Sequence, residues 1–264
     1  MGRVARLPLP PTVLDAAVRG YCRVLDVHLD EASVPGEGFG TFGRFFARSL
    51  KPGLRVVDRN PGALASPCDG LVRTTGSLKT GGTPGFEVKG RSYSVVELTG
   101  RRGWWSEIDA GGYAVIYLSP ADYHRVHSPS DGSVVGAWHL DGTCLPVNRL
   151  GQLLAPWSVV TNERIVFDID GPLGRVVLVM VGALGVRAIE VTLPGLRFEG
   201  EGPRGGVPIE RGQEIAVFNL GSTVVVLWEG QMDPGVEPGQ RIRFGQSLAA
   251  RRPCESNDVG HGIR

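Results

Sequence analysis

Near its carboxyl end the chain reads Phe218-Asn219-Leu220-Gly221-Ser222-Thr223, followed by the apolar run Val224-Val225-Val226-Leu227-Trp228. Such a run reads as a buried strand, which makes Gly221-Ser222 a tight junction leading into it. A hydroxyl beside a glycine carbonyl can attack that carbonyl once a base takes its proton, because glycine has no side chain to block the approach. The outcome would be an N-to-O acyl shift, then cleavage of the chain, then conversion of Ser222 into a new carbonyl group. Taken alone, Gly-Ser-Thr is also an ordinary turn. Other segments must supply the base and its orienting partner.

Two of the five histidines fall within Ala121-Asp122-Tyr123-His124-Arg125-Val126-His127-Ser128-Pro129. On an extended segment His124 and His127 point to opposite faces; on a helical turn they share one. Either way they can serve two separate proton transfers, for which imidazole is the best-suited side chain near neutral pH. A carboxylate comes from Ser66-Pro67-Cys68-Asp69-Gly70, which has a near copy in Ser128-Pro129-Ser130-Asp131-Gly132. Each is a Pro-x-Asp-Gly turn opening onto a β-prone stretch. Asp131 reads as a turn residue that bonds its own backbone. Asp69 is open to a second role, because a triad needs one acid to fix a histidine tautomer and spacing does not show which acid lies nearby.

Further segments extend the pattern over nearly the whole chain. They are Thr41-Phe42-Gly43-Arg44-Phe45-Phe46-Ala47-Arg48 with Leu50-Lys51-Pro52-Gly53, Val88-Lys89-Gly90 with Tyr93, and Leu145-Pro146-Val147-Asn148. Asn162-Glu163-Arg164, Val181-Gly182-Ala183 and Gly212-Gln213-Glu214 then lead to Gly221-Ser222-Thr223. In this order the segments resemble the phosphatidylserine decarboxylases, pyruvoyl-dependent enzymes that make phosphatidylethanolamine. The resemblance implies that Ser222 becomes the pyruvoyl group, with scission between Gly221 and Ser222 and a 1–221 chain held to a 222–264 chain. It implies that Asp69 and His127 act with Ser222 in self-processing, and that His124 attends the decarboxylation. The implied substrate is phosphatidylserine; a sibling activity on another seryl lipid or a free amino acid is the alternative. Two positions depart from the pattern: Cys68 stands where alanine is usual, and Arg187 where glycine is common.

Composition describes the scaffold. With 264 residues, 42% of them hydrophobic, one globular domain with a sizeable core is expected. The 39 glycines and 19 prolines are many for a helical protein, and the Val/Ile-rich stretches 114–118, 164–169 and 176–181 read as strands. The predicted class is mainly β with peripheral helices (α+β). A helical amino-terminal region spans 1–50, broken at Val34-Pro35-Gly36-Glu37-Gly38; a β-rich catalytic domain spans 51–250 and a polar tail 251–264. A formal charge of +1, without a Lys/Arg block, argues against nucleic acid as a partner. Cys22, Cys68, Cys144 and Cys254 show neither CxxC nor zinc spacing, so reduced thiols and no metal are expected.

Attachment to a membrane is expected to be peripheral, on the cytoplasmic side of the cell membrane. The apolar stretch 176–186 is too short to span a bilayer, and the start has no signal-peptide pattern. After Pro10-Pro11, a helical stripe of Leu14, Ala17, Val18, Tyr21, Val24 and Leu25 follows, with Thr12 and Asp15 as a cap. Arg3, Arg6, Arg19 and Arg23 against Asp15 make this segment basic, which suits an anionic membrane surface. Packing on its own domain is the equal alternative, and Phe42, Phe45 and Phe46 pose the same choice. A homodimer completes the expected partners. Two other classes fit less well. A biotinyl or lipoyl carrier needs an exposed lysine at a hairpin tip, which Lys51, Lys79 and Lys89 do not offer, and a serine hydrolase of the G-x-S-x-G type lacks its elbow here.

Overall fold

The computed structural model describes residues 9–78, 84–88, 90–103, 105, 110–143, 145, 158–183, 189–196, 206–219 and 222–251. Gly221, Lys79, Lys89, residues 146–148, Cys144, Arg187, Cys254 and most of the expected tail lie outside them.

Eight strands, numbered along the chain, form one antiparallel sheet. From edge to edge they are β11 (Val207–Ile209), β7 (Gly132–Leu140), β8 (Arg164–Gly171), β9 (Gly174–Gly182), β13 (Ser222–Glu229), β5 (Gly111–Leu118), β2 (Gly70–Ser77) and β15 (Arg241–Ile242). One three-stranded sheet runs β10 (Ile189–Val191), β12 (Glu214–Phe218), β6 (Arg125–His127); another runs β1 (Ala63–Ala65), β16 (Ser247–Arg251), β14 (Met232–Pro234). A hairpin of β3 (Gly85–Val88) and β4 (Arg91–Ser94) stands apart. The mainly β class with a few short helices is what the chain adopts, and the three stretches read as strands lie in β5, β8 and β9.

Both faces of the large sheet are covered, which explains why its central strands are apolar without alternation. Val224, Val226 and Trp228 pack with Ile116, Leu178 and Phe218 into the larger core, which also takes Leu64, Val126, Ile189 and Leu248 from the two small sheets. Val225 and Leu227 point the other way, against Val115, Val179, Phe86 and Trp105. Cys68 is buried in the larger core, where burial pushes its thiol well up, so it serves as a small apolar residue. Gly112 has to be glycine: a Cβ there would lie 2.4 Å from the buried Trp228 ring.

The α-helices among the described residues are α1 (Pro11–Leu25), α2 (Phe42–Phe46), α3 (Val95–Thr99) and α4 (Ser158–Thr161). The cap expected from Thr12 and Asp15 does not form. α1 starts at Pro11, ahead of Thr12, with Pro10 in the cap position and no side-chain bond; proline suits a first helical position because its missing N–H would be unpaired there anyway. Leu14 and Val18 pack with Val27, Ala32, Phe39 and Phe45 in a third cluster. Tyr21 donates to Pro120 O at 3.0 Å. Phe45 and Phe46 are buried, so here the domain-packing reading holds for α2 and for one stripe of α1. Both helices thus brace the loop that carries the histidines.

Candidate active site

Ser222 opens β13, the strand between β9 and β5, and pairs with Gly182 on one side and Leu118 on the other. It is fully buried. Gly182 is itself fixed: its carbonyl accepts Asn162 Nδ2–H at 2.9 Å and its N–H donates to Glu163 O at 2.9 Å. Asn162 Nδ2 also reaches Leu145 O at 2.7 Å, and Asn162 Oδ1 accepts the Leu145 N–H. The Asn-Glu-Arg motif therefore holds the strand end opposite Ser222.

β12 ends at Phe218, whose N–H donates to His124 O at 2.9 Å. Only three residues separate Phe218 from Ser222, a span of at most roughly 14 Å. The segment 118–124 therefore brackets the junction, bonding Ser222 at one end and Phe218 at the other. His124 is fully buried and lies against the Phe46 ring, centroids 4.1 Å apart. Its Nδ1–H donates to Asp122 O at 2.8 Å, which leaves Nε2 as the basic nitrogen. Nε2 has no hydrogen-bond partner among the described residues.

His127, in β6, faces a different environment, as an extended backbone dictates. Its Nδ1 donates to Gly212 O at 2.9 Å, and its Nε2 accepts from the Tyr123 hydroxyl at 3.0 Å. The ring stacks on Phe244 at 3.7 Å, and the His127 N–H donates to Pro67 O. Burial pushes the Tyr123 phenol up, which keeps it protonated as the donor to His127. Asp69 contacts Phe244 through the latter's main chain, accepting its backbone N–H at 2.7 Å. Its carboxylate also takes two bonds from Arg55, at 2.6 and 3.2 Å. Arg55 bridges on to Glu31 at 2.7 Å; burial would lower its pKa, but the two carboxylates more than offset that and keep it charged. Asp69 and His127 therefore meet at Phe244 without a direct hydrogen bond among the recorded contacts.

The two Pro-x-Asp-Gly turns are structural copies. Ser66 Oγ donates to Cys68 O at 2.8 Å and Ser128 Oγ to Ser130 O at 2.7 Å. Each serine pairs through its backbone with an x-x-Gly-Gln turn: Ser66 with Gly245 and Gln246, Ser128 with Gly212 and Gln213. Gly212 and Gly245 have φ values of 85° and 87°, a region open to glycine. Asp131 corrects the expectation made for it. Its Oδ1 accepts the N–H of Arg211, not its own backbone, because the turn docks on a distant one. Asp69 makes the equivalent bond to Phe244, so that contact is structural. The second oxygen of Asp131 lies 3.7 Å from Arg211; what sets Asp69 apart is the 2.6 Å bond from Arg55 and its place at the wall of a cleft.

That cleft, of about 560 Å³, is lined by Glu31, Arg48, Arg55, Asp69, Ser119, Asp122, Tyr123 and Arg241, with Leu25 and Ile242 among others. Neither Ser222 nor His124 nor His127 lines it; Asp122 and Tyr123, which contact those two histidines, do, as does the separate His28. Asp122 accepts the Ser119 N–H at 2.7 Å and pairs with Arg241. Arg55, Tyr123, Asp122 and Phe244 carried no assigned role in the sequence. Asp122 and Tyr123 could have been found inside the histidine segment; Phe244, 175 residues from Asp69, gave no signal.

Burial lowers the His124 pKa to about 3, against a partial rise from the Asp122 carbonyl; Arg48 lowers it further. Burial likewise lowers His127 to about 4, with the Gly212 carbonyl opposing. Unfolded histidine titrates near 6.5, so below that pH the unfolded chain binds protons that the folded one refuses. Stability is then lost as pH falls from about 6.5 towards 4, by up to about 1.4 kcal/mol per pH unit for each group. Urea unfolding of the uncut Ser222→Ala protein should show a lower midpoint at pH 5 than at pH 7. Equal midpoints would contradict the burial of two neutral imidazoles.

A β scaffold that buries a serine hydroxyl at the head of a central strand, with two buried histidines on the segment that brackets that junction, holds the groups of a serine- and histidine-dependent enzyme. Comparison with known proteins narrows this class. The family model described as phosphatidylserine decarboxylase matches residues 42–250. The phosphatidylserine decarboxylase proenzyme of Anaeromyxobacter sp. (strain K) is 35% identical, covering 94% of this chain and 91% of the relative. That of Methylococcus capsulatus is 36% identical over 92% and 88%, and that of Stenotrophomonas maltophilia 37% identical over 87% and 86%. The chain belongs to the phosphatidylserine decarboxylase family.

Proposed function

We propose that the chain cuts itself between Gly221 and Ser222 and then decarboxylates phosphatidylserine to phosphatidylethanolamine with a pyruvoyl group made from Ser222. The observation that carries this reading is the state of the junction. Asn219 Nδ2, Ser222 Oγ and Thr223 Oγ1 are buried without a hydrogen-bond partner among the described residues. Leaving such groups unpaired costs roughly 1–3 kcal/mol each, a cost that suits groups kept for chemistry at a carbonyl. The relatives' name, proenzyme, fits a chain processed after synthesis.

Ser222 Oγ yields its proton to His127 Nε2, which first gives up the Tyr123 hydroxyl, and attacks the Gly221 carbonyl carbon, whose bond to nitrogen breaks as the ester forms, the nitrogen taking the proton back from His127. Loss of the Ser222 Cα proton expels the Gly221 carboxylate, and water then displaces the nitrogen as ammonia, leaving the carbonyl. Asp69 fixes His127 through Phe244. The pyruvoyl carbonyl supplies the electron sink that loss of CO2 demands. His124 Nε2 takes a proton from the substrate ammonium and returns it to the former α-carbon. The test is an intact mass spectrum together with CO2 release from carboxyl-labelled phosphatidylserine. Fragments 1–221 and 222–264 are expected, the second with a blocked amino terminus, and free serine should release no CO2. A full-length chain that still decarboxylates would sink the pyruvoyl reading.

Peripheral docking on the anionic face of the cell membrane belongs to the same reading. No helix among the described residues is long and apolar enough to cross a membrane. Val24, Leu25, Leu54 and Val56 are exposed, and Leu25 and Arg55 line the cleft, so apolar side chains stand near its mouth. Each such side chain gains about 1.5–3 kcal/mol on full burial. A Val24→Asp/Val56→Asp protein should bind phosphatidylserine vesicles at least about 10-fold more weakly, cleave normally, and lose residual binding in high salt. Unchanged sedimentation with vesicles would place the anchor elsewhere. These point changes are preferable to deleting α1, whose Tyr21 holds the histidine loop.

A further inference from the structure

We propose that Arg48 is the subsite for the phosphodiester of the lipid head group, an inference that rests on the functional reading above and assigns one part of its substrate to one residue. Arg48 lines the cleft yet is only 5% exposed. Its recorded hydrogen bonds go from Nη2 to two main-chain carbonyls, Ala121 O at 2.8 Å and Asp122 O at 3.2 Å. Nε and Nη1 have no partner among the described residues. The aromatic face of Phe45 lies 5.3 Å from the guanidinium carbon.

A buried charge is normally paired, because removing it from water costs several kcal/mol. Two other arginines of the cleft are paired, and a third, Arg243, is exposed to water. Arg55 is held by Glu31 and Asp69, and Arg241 by Asp122. Arg48 carries its charge without a carboxylate in ion-pair contact among the recorded pairs, so the complement that the site calls for is an anion entering the cleft. An arginine, permanently charged and rich in donors, is the residue suited to a phosphate oxygen.

Position and chemistry decide which anion. The Asp122 carbonyl that accepts from Arg48 is the one that accepts from His124 Nδ1, so Arg48 stands one peptide group from the proposed proton donor. The substrate brings two anions there, a carboxylate and a phosphodiester. The carboxylate leaves as neutral CO2, and a guanidinium bound to it would stabilise the ground state more than the transition state, which slows the step. The phosphodiester keeps its charge throughout, so binding it to Arg48 holds the head group without opposing the reaction.

The processed protein can be titrated calorimetrically with glycerophosphoethanolamine, which has the phosphodiester but no carboxylate, and with serine, which has the carboxylate but no phosphate. Arg48→Gln is expected to weaken glycerophosphoethanolamine about 10- to 100-fold, as loss of a charge-assisted contact implies, and to leave serine unchanged. With short-chain phosphatidylserine the KM should rise by a similar factor while kcat changes less. Equal binding of glycerophosphoethanolamine by Arg48→Gln and wild type overturns the proposal. So does a parallel loss for serine, which would put the carboxylate on Arg48. If Arg48→Gln fails to split into two chains, Arg48→Lys decides by the same comparison, with a smaller loss confined to glycerophosphoethanolamine. A wild-type protein that releases no CO2 from phosphatidylserine would sink the functional reading, while the titration would still judge the subsite.

Discussion

A Ser222→Ala protein is expected to remain a single chain and to release no CO2 above background. The alanine methyl has no oxygen to attack the Gly221 carbonyl, and no carbonyl can form at a residue without a leaving group on Cβ. Folding should survive. Ser222 Oγ has no hydrogen-bond partner among the described residues, so its removal leaves no donor or acceptor newly unpaired. Backbone pairing of residue 222 with Leu118 and Gly182 does not depend on the side chain. An uncut, inactive protein with a wild-type circular dichroism spectrum is therefore the expected result. A split Ser222→Ala protein would move the scission elsewhere.

The two histidines should separate cleanly. His127→Ala is expected to slow self-cleavage by about 10²–10⁴-fold, the usual worth of a general base, and Asp69→Asn to slow it less, because Asp69 reaches the ring only through Phe244. His124→Ala should still split into two chains but turn over about 10²–10⁴-fold more slowly. Single-turnover cleavage followed on gels, with CO2 release measured on the processed protein, distinguishes the two. Cleavage in His127→Ala with none in His124→Ala would reverse the assignment, which the open Nε2 of His124 makes a fair test. The pH dependence follows in sign. With folded values lowered to about 3 and about 4, both rings stay neutral from pH 8 to pH 5. Their protonation therefore cannot produce a fall in rate across that range; such a fall would show that a ring is more solvated than its burial implies.

Local chemistry made part of this protein legible in its sequence. The Gly-Ser junction, the histidine pair and the Pro-x-Asp-Gly turns stand out because nucleophile, base and turn each require particular residue types at short spacing. The strands were readable from uninterrupted valine and isoleucine runs, since a sheet covered on both faces has no polar side to alternate. The α1 stripe shows the limit. Periodicity reveals an apolar face but not what covers it, and Leu14 and Val18 turned out to face the domain while Val24 remains exposed. Asp131 shows another limit, its partner being the distant Arg211.

What sequence alone determined is therefore the identity of the reactive groups and the kind of scaffold that carries them. The tertiary structure decided their relations: Phe244 in contact with both Asp69 and His127, Arg55 tying Asp69 to Glu31, Asn162 holding Gly182 opposite Ser222, and Arg48 sharing the carbonyl that orients His124. These contacts join segments up to 175 residues apart. Spacing along the chain carries no information about them, because the order of strands across the sheet, not their order in sequence, sets which side chains meet.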